Sequence, residues 1–320
     1  MHEGIPQNVL GSVAARADEI IQEIQRVYIG PRSIPELLLT GLLASGHVLL
    51  EGVPGVAKTT LVKAFAATLG CSFRRIQFTP DLLPADITGT FVLSPNEGTF
   101  QLREGPVFAH IVLGDEINRA PAKTQSALLE AMQEGQVTIE GETRPLPAPF
   151  IVLATQNPID QAGTYPLPEA QVDRFLLRLN LGYPEVDAER ALLRRFLGPP
   201  ATPRALLNPQ EILSLRAWVG QVHLEEEIIE YIVRLATDTR RNAHLYLGAS
   251  PRAGLALMQA ARARALLAGR PFVLPDDVKA LAPNVLAHRL VLTPEAEMEG
   301  VTTENLIHDT LRRVRHRREG

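Results

Sequence analysis

The sequence predicts an α/β fold: a parallel sheet flanked by helices, followed by a smaller all-helical C-terminal domain. Three observations carry that expectation. Apolar strand-like runs alternate with helical-period segments over the first half of the chain, the pattern of a parallel sheet with helices on both faces. The first of those runs leads straight into a Gly-rich turn and a helix, and beyond about Pro184 the strand pattern disappears.

Taken in order, residues 8–27 place Val9, Val13, Ile20, Ile21, Ile24 and Val27 at helical spacing, and Gly30 and Pro31 stop that helix. A second helix is expected over 34–44. Residues 47–51 contain the apolar run Val48, Leu49, Leu50 between Gly46 and Gly52 and read as a buried strand. After the glycine turn, Leu61, Phe65 and Leu69 share a helical face that ends at Gly70. Further strands are expected at 73–78, 111–113 and 151–154, with a helix over 123–134. Two hairpins interrupt the alternation, one over 91–102 turning at 94–98 and one over 136–146 turning at Gly141. Pro199, Pro200 and Pro203 suggest a linker, after which helices include 225–236 and 250–267, the latter with Ser250 as N-cap, Pro251 in the first turn and Gly269 as terminator. The expected division is an N-terminal helix segment (1–30), an α/β core with two hairpin inserts (31–184), a linker (185–203) and a helical domain (204–320).

Composition narrows the function classes. With 320 residues, two units are expected, and 45% hydrophobic content supports a packed core. The balance of 32 basic against 36 acidic residues, a net −4, gives no general attraction to a phosphate backbone. Nucleic acid is therefore not the expected partner. One cysteine, Cys71, allows no internal disulfide and reads as a small packing residue. No secretory leader and no run approaching the ~20 apolar residues of a membrane span is evident, so a cytoplasmic protein is expected.

The residues that carry chemistry sit at strand ends. Gly52, Val53, Pro54, Gly55, Val56, Ala57, Lys58 and Thr59 follow a strand and open a helix, as a phosphate-binding P-loop requires. Loop N–H groups and the helix N-terminus face phosphates, Lys58 reaches the β- and γ-phosphates, and the Thr59 hydroxyl can ligate Mg²⁺, with Thr60 next along the helix. Ala57 stands where the pattern has Gly; as the residue entering the helix it is expected to take right-handed φ, which suits Ala. Asp115 and Glu116 end a buried strand, the Walker B arrangement, in which Asp115 serves the metal shell and Glu116 polarises the attacking water. Asn157 ends another strand and can position that water or contact the γ-phosphate. Arg174 can stabilise phosphoryl-transfer charge if it reaches a neighbouring subunit's nucleotide. Arg252, in a first helical turn, opposes the macrodipole and so calls for a compensating anion.

In this order the signals resemble the MoxR family of AAA+ ATPases. The likeness is carried by Leu-Leu-Glu-Gly-Val-Pro-Gly-Val-Ala-Lys-Thr over 49–59, by Gly-Asp-Glu-Ile-Asn-Arg-Ala-Pro from Gly114, and by Lys-Thr-Gln-Ser-Ala-Leu-Leu-Glu-Ala-Met-Gln-Glu over 123–134. It extends to Ala-Thr-Gln-Asn-Pro over 154–158, Leu-Pro-Glu-Ala-Gln-Val-Asp-Arg-Phe over 167–175 and Ala-Ser-Pro-Arg over 249–252. The resemblance implies a P-loop AAA+ core with a C-terminal lid, ATP/ADP and Mg²⁺ as cofactors, Asn157 as sensor 1, Arg174 as arginine finger and Arg252 as sensor 2. It places Val27, Tyr28, Ile29 and Gly30 near the adenine, and makes the hairpins the helix-2 insert and pre-sensor-1 hairpin. It further implies a hexameric chaperone ATPase that remodels proteins together with a partner carrying a von Willebrand factor A domain.

Other signals read as structural. The basic tail at Arg312, Arg313, Arg315, Arg317 and Arg318 is short and lacks interleaved aromatics, as a solvated helix end would. His110, His223 and His244 show no metal-ligand spacing. Phe91 and Phe100 are expected either to touch a substrate or to anchor their hairpin. Two alternative functions remain at this stage: a nucleic-acid motor of the ring-helicase type, and a nucleotide-controlled binding switch with little turnover.

Overall fold

A computed structural model describes residues 5–52, 57–94, 98–157, 164–197 and 201–316, apart from the Phe196 side chain. In chain order its elements begin α1 (Gln7–Gln25), α2 (Ser33–Leu43), β1 (His47–Gly52), α3 (Lys58–Thr68), β2 (Phe73–Gln77) and α4 (Pro84–Thr88). There follow β3 (Gly89–Leu93), β4 (Phe100–Glu104), β5 (Ile111–Asp115), α5 (Ala122–Glu134), β6 (Gln136–Ile139), β7 (Glu142–Pro145), β8 (Ile151–Gln156) and α6 (Glu169–Val172). The remainder is β9 (Phe175–Leu181), α7 (Val186–Phe196), α8 (Pro209–Val219), α9 (Glu226–Arg240), β10 (Leu245–Leu247), α10 (Pro251–Leu267), α11 (Pro275–Leu286), β11 (Val291–Leu292), α12 (Pro294–Met298) and α13 (Thr303–Arg313).

The central sheet has the order β2-β5-β8-β1-β9, and every pairing within it is parallel. Strands this apolar are stable only when covered on both faces, and their alternating side chains divide accordingly. Leu49, Val112 and Val152 point into one core with Leu128 and Phe78. Val48, Leu50, Leu113 and Leu153 point into the other, which is continuous with α1, α2, α3 and the C-terminal helices. The four expected strands and both hairpins are present. A fifth strand, β9, extends the sheet beside β1; its Phe175, Leu177, Leu179 and Leu181 alternate with Arg178 and Asn180.

Helix α10 is the centre of the C-terminal bundle, with Ser250 as its N-cap accepting from the Ala253 N–H. It packs on α11, α9, α2 and α1, and Arg264 pairs with Glu36 of α2 at 2.6 Å. Helix α1 belongs to that same apolar core. The stretch 185–203 carries α7, and Pro199 and Pro200 lie outside the described residues while Pro203 lies within them. Glu23 of α1 accepts from the Arg204 N–H and pairs with Arg26 and Arg204, contacts that hold its carboxyl down at about 2. Phe91 packs against the core and anchors its hairpin, whereas Phe100 is 71% exposed at the far end; Pro95, Asn96 and Glu97 of the turn lie outside the described residues. Arg313 pairs with Asp238 at 2.6 Å and Arg312 with Asp309 at 3.5 Å, while Arg317 and Arg318 also lie outside. Among the described residues no helix is long and apolar enough to cross a membrane, and no group of three His, Cys, Asp or Glu side chains is placed to hold a metal.

Candidate functional site

The sheet order brings the chemistry together. β8 lies between β5 and β1, so the carboxyl ends of three adjacent strands deliver Asp115, Asn157 and Gly52 to one edge, the edge where parallel α/β sheets bind ligands. Lys58, the first residue of α3, donates from Nζ to the Gly52 carbonyl at 2.6 Å. Burial weakens its charged form, and the carboxylates of Asp115, Glu116 and Glu51 pull in the opposite direction. Lys58 therefore sits in the field of both strand-end acids. Asn157 is buried immediately beyond β8.

Four residues to which the sequence reading gave no role surround the two acids. The Thr155 hydroxyl donates to Asp115 Oδ1 at 2.6 Å and accepts the Glu116 N–H at 2.8 Å. Arg75 of β2 donates to Asp115 Oδ2 through Nε at 3.0 Å and a terminal nitrogen at 2.6 Å. The Gln77 amide donates to Glu116 Oε2 at 2.9 Å, and Arg119 approaches the same oxygen at 3.4 Å. Glu116 itself has left-handed φ of 58°, a sharp turn off the strand that separates its carboxylate from that of Asp115.

The loop requires a correction. Ala57 has φ 58° and ψ 26°, not the right-handed values expected of it. An L-residue there carries a cost of roughly 1–2 kcal/mol that glycine avoids. Gly52 is fixed by close approach: a Cβ there would lie 2.3 Å from the Leu181 carbonyl oxygen of β9. Val53, Pro54, Gly55 and Val56 lie outside the described residues. Thr59 is half-buried in the first turn of α3, and Thr60 is exposed.

Beside the loop, a cleft of about 520 Å³ is lined by Tyr28, Ile29, Gly30, Ala57, Tyr183 and Leu192, among others. Tyr28 folds back beneath Gly30, where a Cβ would stand 2.3 Å from the phenolic oxygen. Val27 packs instead against the core and is not one of the cleft's lining residues.

Arg252 and Arg289 form a separate group joined through Asp173, the residue that precedes Arg174. Asp173 lies 3.5 Å from the Arg252 guanidinium and 2.7 Å from that of Arg289, which is buried and also donates to the carbonyls of Asp173 and Phe175. Asp173 is thus the anion that Arg252, at the N-terminus of α10, called for. No hydrogen bond or ion pair joins Arg174 or Arg252 to Lys58, Asp115 or Glu116 among the described residues. Residues that hold a metal would supply oxygen alone: one hydroxyl, Thr59, and one carboxylate, Asp115, beside phosphate. That hard donor set fits Mg²⁺, which keeps several waters and takes one or two carboxylates.

Comparison with known proteins agrees with this geometry. Residues 47–177 match the ATPase family associated with various cellular activities, and residues 237–310 match the AAA lid domain. The sheet, its strand-end acids and the helical lid are those of an AAA+ ATPase. The chain is 48% identical to the uncharacterized protein YeaC of Bacillus subtilis over 92% of this chain and 93% of that one. It is 45% identical to the chaperone MoxR1 of Mycobacterium tuberculosis over 98% of this chain and 86% of that one. A solved structure of a presumed ATPase from Cytophaga hutchinsonii superposes with a TM-score of 0.90 at 42% identity, covering 96% of this chain and 97% of that one. The chain belongs to the MoxR family of AAA+ ATPases.

Proposed function

We propose that the protein hydrolyses ATP with Mg²⁺ at the contact between neighbouring copies in a six-membered ring, and uses the cycle to remodel or mature a partner protein in the cytoplasm. One observation carries this reading: Lys58 lies in the field of Asp115 and Glu116, while Arg252 pairs with Asp173, the residue before Arg174, and neither arginine bonds to those three residues among the described residues. The base enters the cleft beside Tyr28, Ile29 and Gly30, and the N-terminus of α3 at Lys58 and Thr59 faces the phosphates. Thr59 and Asp115 would hold the metal, which when bound would supply positive charge beside the phosphates. Lys58 leaves the Gly52 carbonyl for the phosphates. Glu116 takes the proton of the attacking water, Gln77 holds that carboxylate in position, and Asn157 orients the water. Arg174 of a neighbour, with Arg252 beside it, meets the charge that builds on the transferred group.

The work done on clients is assigned by likeness to a relative named as a chaperone, and a protein with a von Willebrand factor A domain is the proposed partner. The net charge of −4 speaks against a nucleic-acid motor, and the intact Asp115–Glu116 pair against a mere switch. The test is ATP turnover per chain measured against protein concentration. Turnover should rise with concentration, stop on removal of Mg²⁺, and fall in Arg174→Ala while nucleotide binding persists. Turnover independent of concentration, or stimulation by DNA, would overturn the reading.

A further inference from the structure

Two apolar surfaces on this chain face no partner among the described residues, and both run from acidic to basic along their helix, so that they match when laid antiparallel. The first is a groove of about 420 Å³ between α9 and α10, lined by Leu224, Ile229, Val233, Leu255 and Met258, with Arg240 at one end. Val233 and Leu255 are more than half exposed. The second is the outer stripe of α7, where Val186, Leu193 and Leu197 recur at helical spacing, with Leu193 64% and Leu197 89% exposed. Exposed apolar groups aligned in this way mark an interaction surface, and an amphipathic helix laid in a groove through anchors of such spacing is a recurrent mode of recognition.

The charges set the pairing and its direction. Glu226 and Glu230 form an exposed acidic row one turn apart beside the Ile229–Val233 edge of the groove, and Arg240 lies at the opposite end of α9. On α7, Arg190 and Arg194 form a basic row beside Leu193 and Leu197, while Glu185 and Asp187 occupy its N-terminal end. Laid antiparallel to α9, α7 places its basic half over Glu226 and Glu230 and its acidic end near Arg240. Parallel packing would set like charges against each other at both ends.

We infer that α7 of one copy seats in the α9–α10 groove of the next, so that the occupant of the groove is a second copy of this chain. The inference rests on the proposed reading of Arg174 as a residue given to a neighbour's nucleotide. Continuity along the chain supports it from both sides. The groove runs up to Ser250 and Pro251; the next residue, Arg252, pairs with Asp173, which precedes Arg174. The inner face of α7, through Ala188 and Leu192, lines the cleft that also reaches Ala57. A copy that brings Arg174 to its neighbour's phosphates therefore brings its groove towards that neighbour's α7. Helix α7 then touches the nucleotide cleft on one face and the adjacent lid on the other, a direct mechanical link between an occupied site and the next subunit.

The experiment uses the full chain with Mg-ATP in the Glu116→Gln background and reads mass by light scattering as a function of concentration. Leu193→Glu on α7 and Val233→Glu in the groove should each raise the concentration for half-assembly about tenfold or more, while fluorescent-ADP binding to the dilute chain stays as in the parent. Both sites are solvent-facing, so these variants should fold; the charge swap gives a second route. Arg194→Glu should weaken assembly, and mixing it with Glu230→Arg should restore it. Assembly of Leu193→Glu and Val233→Glu at parent concentrations, or failure of the charge swap to rescue, would overturn the inference and leave the reading of Arg174 standing. A parent that never assembles with nucleotide would overturn both.

Discussion

A single hydroxyl governs the relation between the two catalytic-edge acids. Thr155 donates to Asp115 and accepts from the backbone of Glu116, so it fixes the carboxylate proposed to hold metal and the turn that aims the proposed base. Thr155→Val keeps the shape and removes both bonds. Losing such a buried, charge-assisted contact costs about 1–3 kcal/mol, and turnover should fall roughly 10- to 100-fold while the fold, read by circular dichroism, is retained. Glu116→Gln removes the proposed base and should lower turnover by on the order of 10²–10⁴-fold without loss of ATP binding, a contrast that phosphate release and a filter-binding assay would separate. Asp115 and Glu116 were legible in the sequence because the acid pair closes an apolar run downstream of a P-loop pattern; without that loop, a solvated strand end would explain it as well. Arg75, Gln77 and Thr155 were not, because their meaning lies in cross-strand alignment: Gln77 stands opposite Asp115 only once β2 pairs with β5, and Thr155 reaches both acids only once β8 lies beside β5.

Among the elements, the entrance to α3 carries backbone strain. Ala57 is held in a left-handed conformation at the helix entrance. Ala57→Gly should therefore raise stability in urea by about 1 kcal/mol, and an unchanged or lowered midpoint would show that the left-handed turn is not adopted. The sequence could show that a residue type departed from the usual loop pattern, but not the sign of φ, which the neighbouring strand sets. Gly52 is the complementary case: any side chain there meets the Leu181 carbonyl and would push β9 away from β1 just where the loop begins. Strand β9 itself was not singled out, although Leu177, Leu179 and Leu181 alternate with Arg178 and Asn180. Its polar positions satisfy partners distant in sequence, with Arg178 pairing with both Glu51 and Glu304, and Asn180 at the base cleft. Helix α7 fell inside the linker expected from Pro199, Pro200 and Pro203; its Val186, Leu193 and Leu197 are exposed.

At the scale of the whole molecule, the sheet and the lid share one continuous core, so the protein should lose stability as a unit when a buried group is forced to ionise. His47 is such a group. Its Nε2 lies 2.9 Å from the Met132 carbonyl and its Nδ1 accepts the Val152 N–H, which fixes the neutral tautomer. Burial lowers its pKa from 6.5 to about 4. The folded state thus binds fewer protons than the unfolded chain, and the stability contributed by neutral His47 is complete above pH 6.5 and lost as pH falls towards 4. His288 is shifted in the same direction, by burial and by the adjacent Arg289. Between pH 7 and pH 5 the His47 contribution alone should fall by about 2 kcal/mol, visible as a lower urea midpoint at pH 5; an unchanged midpoint would mean that His47 is not buried neutral.

The convergence of Lys58 with Asp115 and Glu116 on one phosphate site underlies all of this, and a calorimetric titration of ATP with Mg²⁺ addresses it without reliance on turnover. Glu116→Gln should bind one nucleotide per chain, and the same protein carrying Lys58→Ala as well should show no saturable heat at millimolar ATP. Equal binding by the two would mean that the phosphates lodge somewhere else.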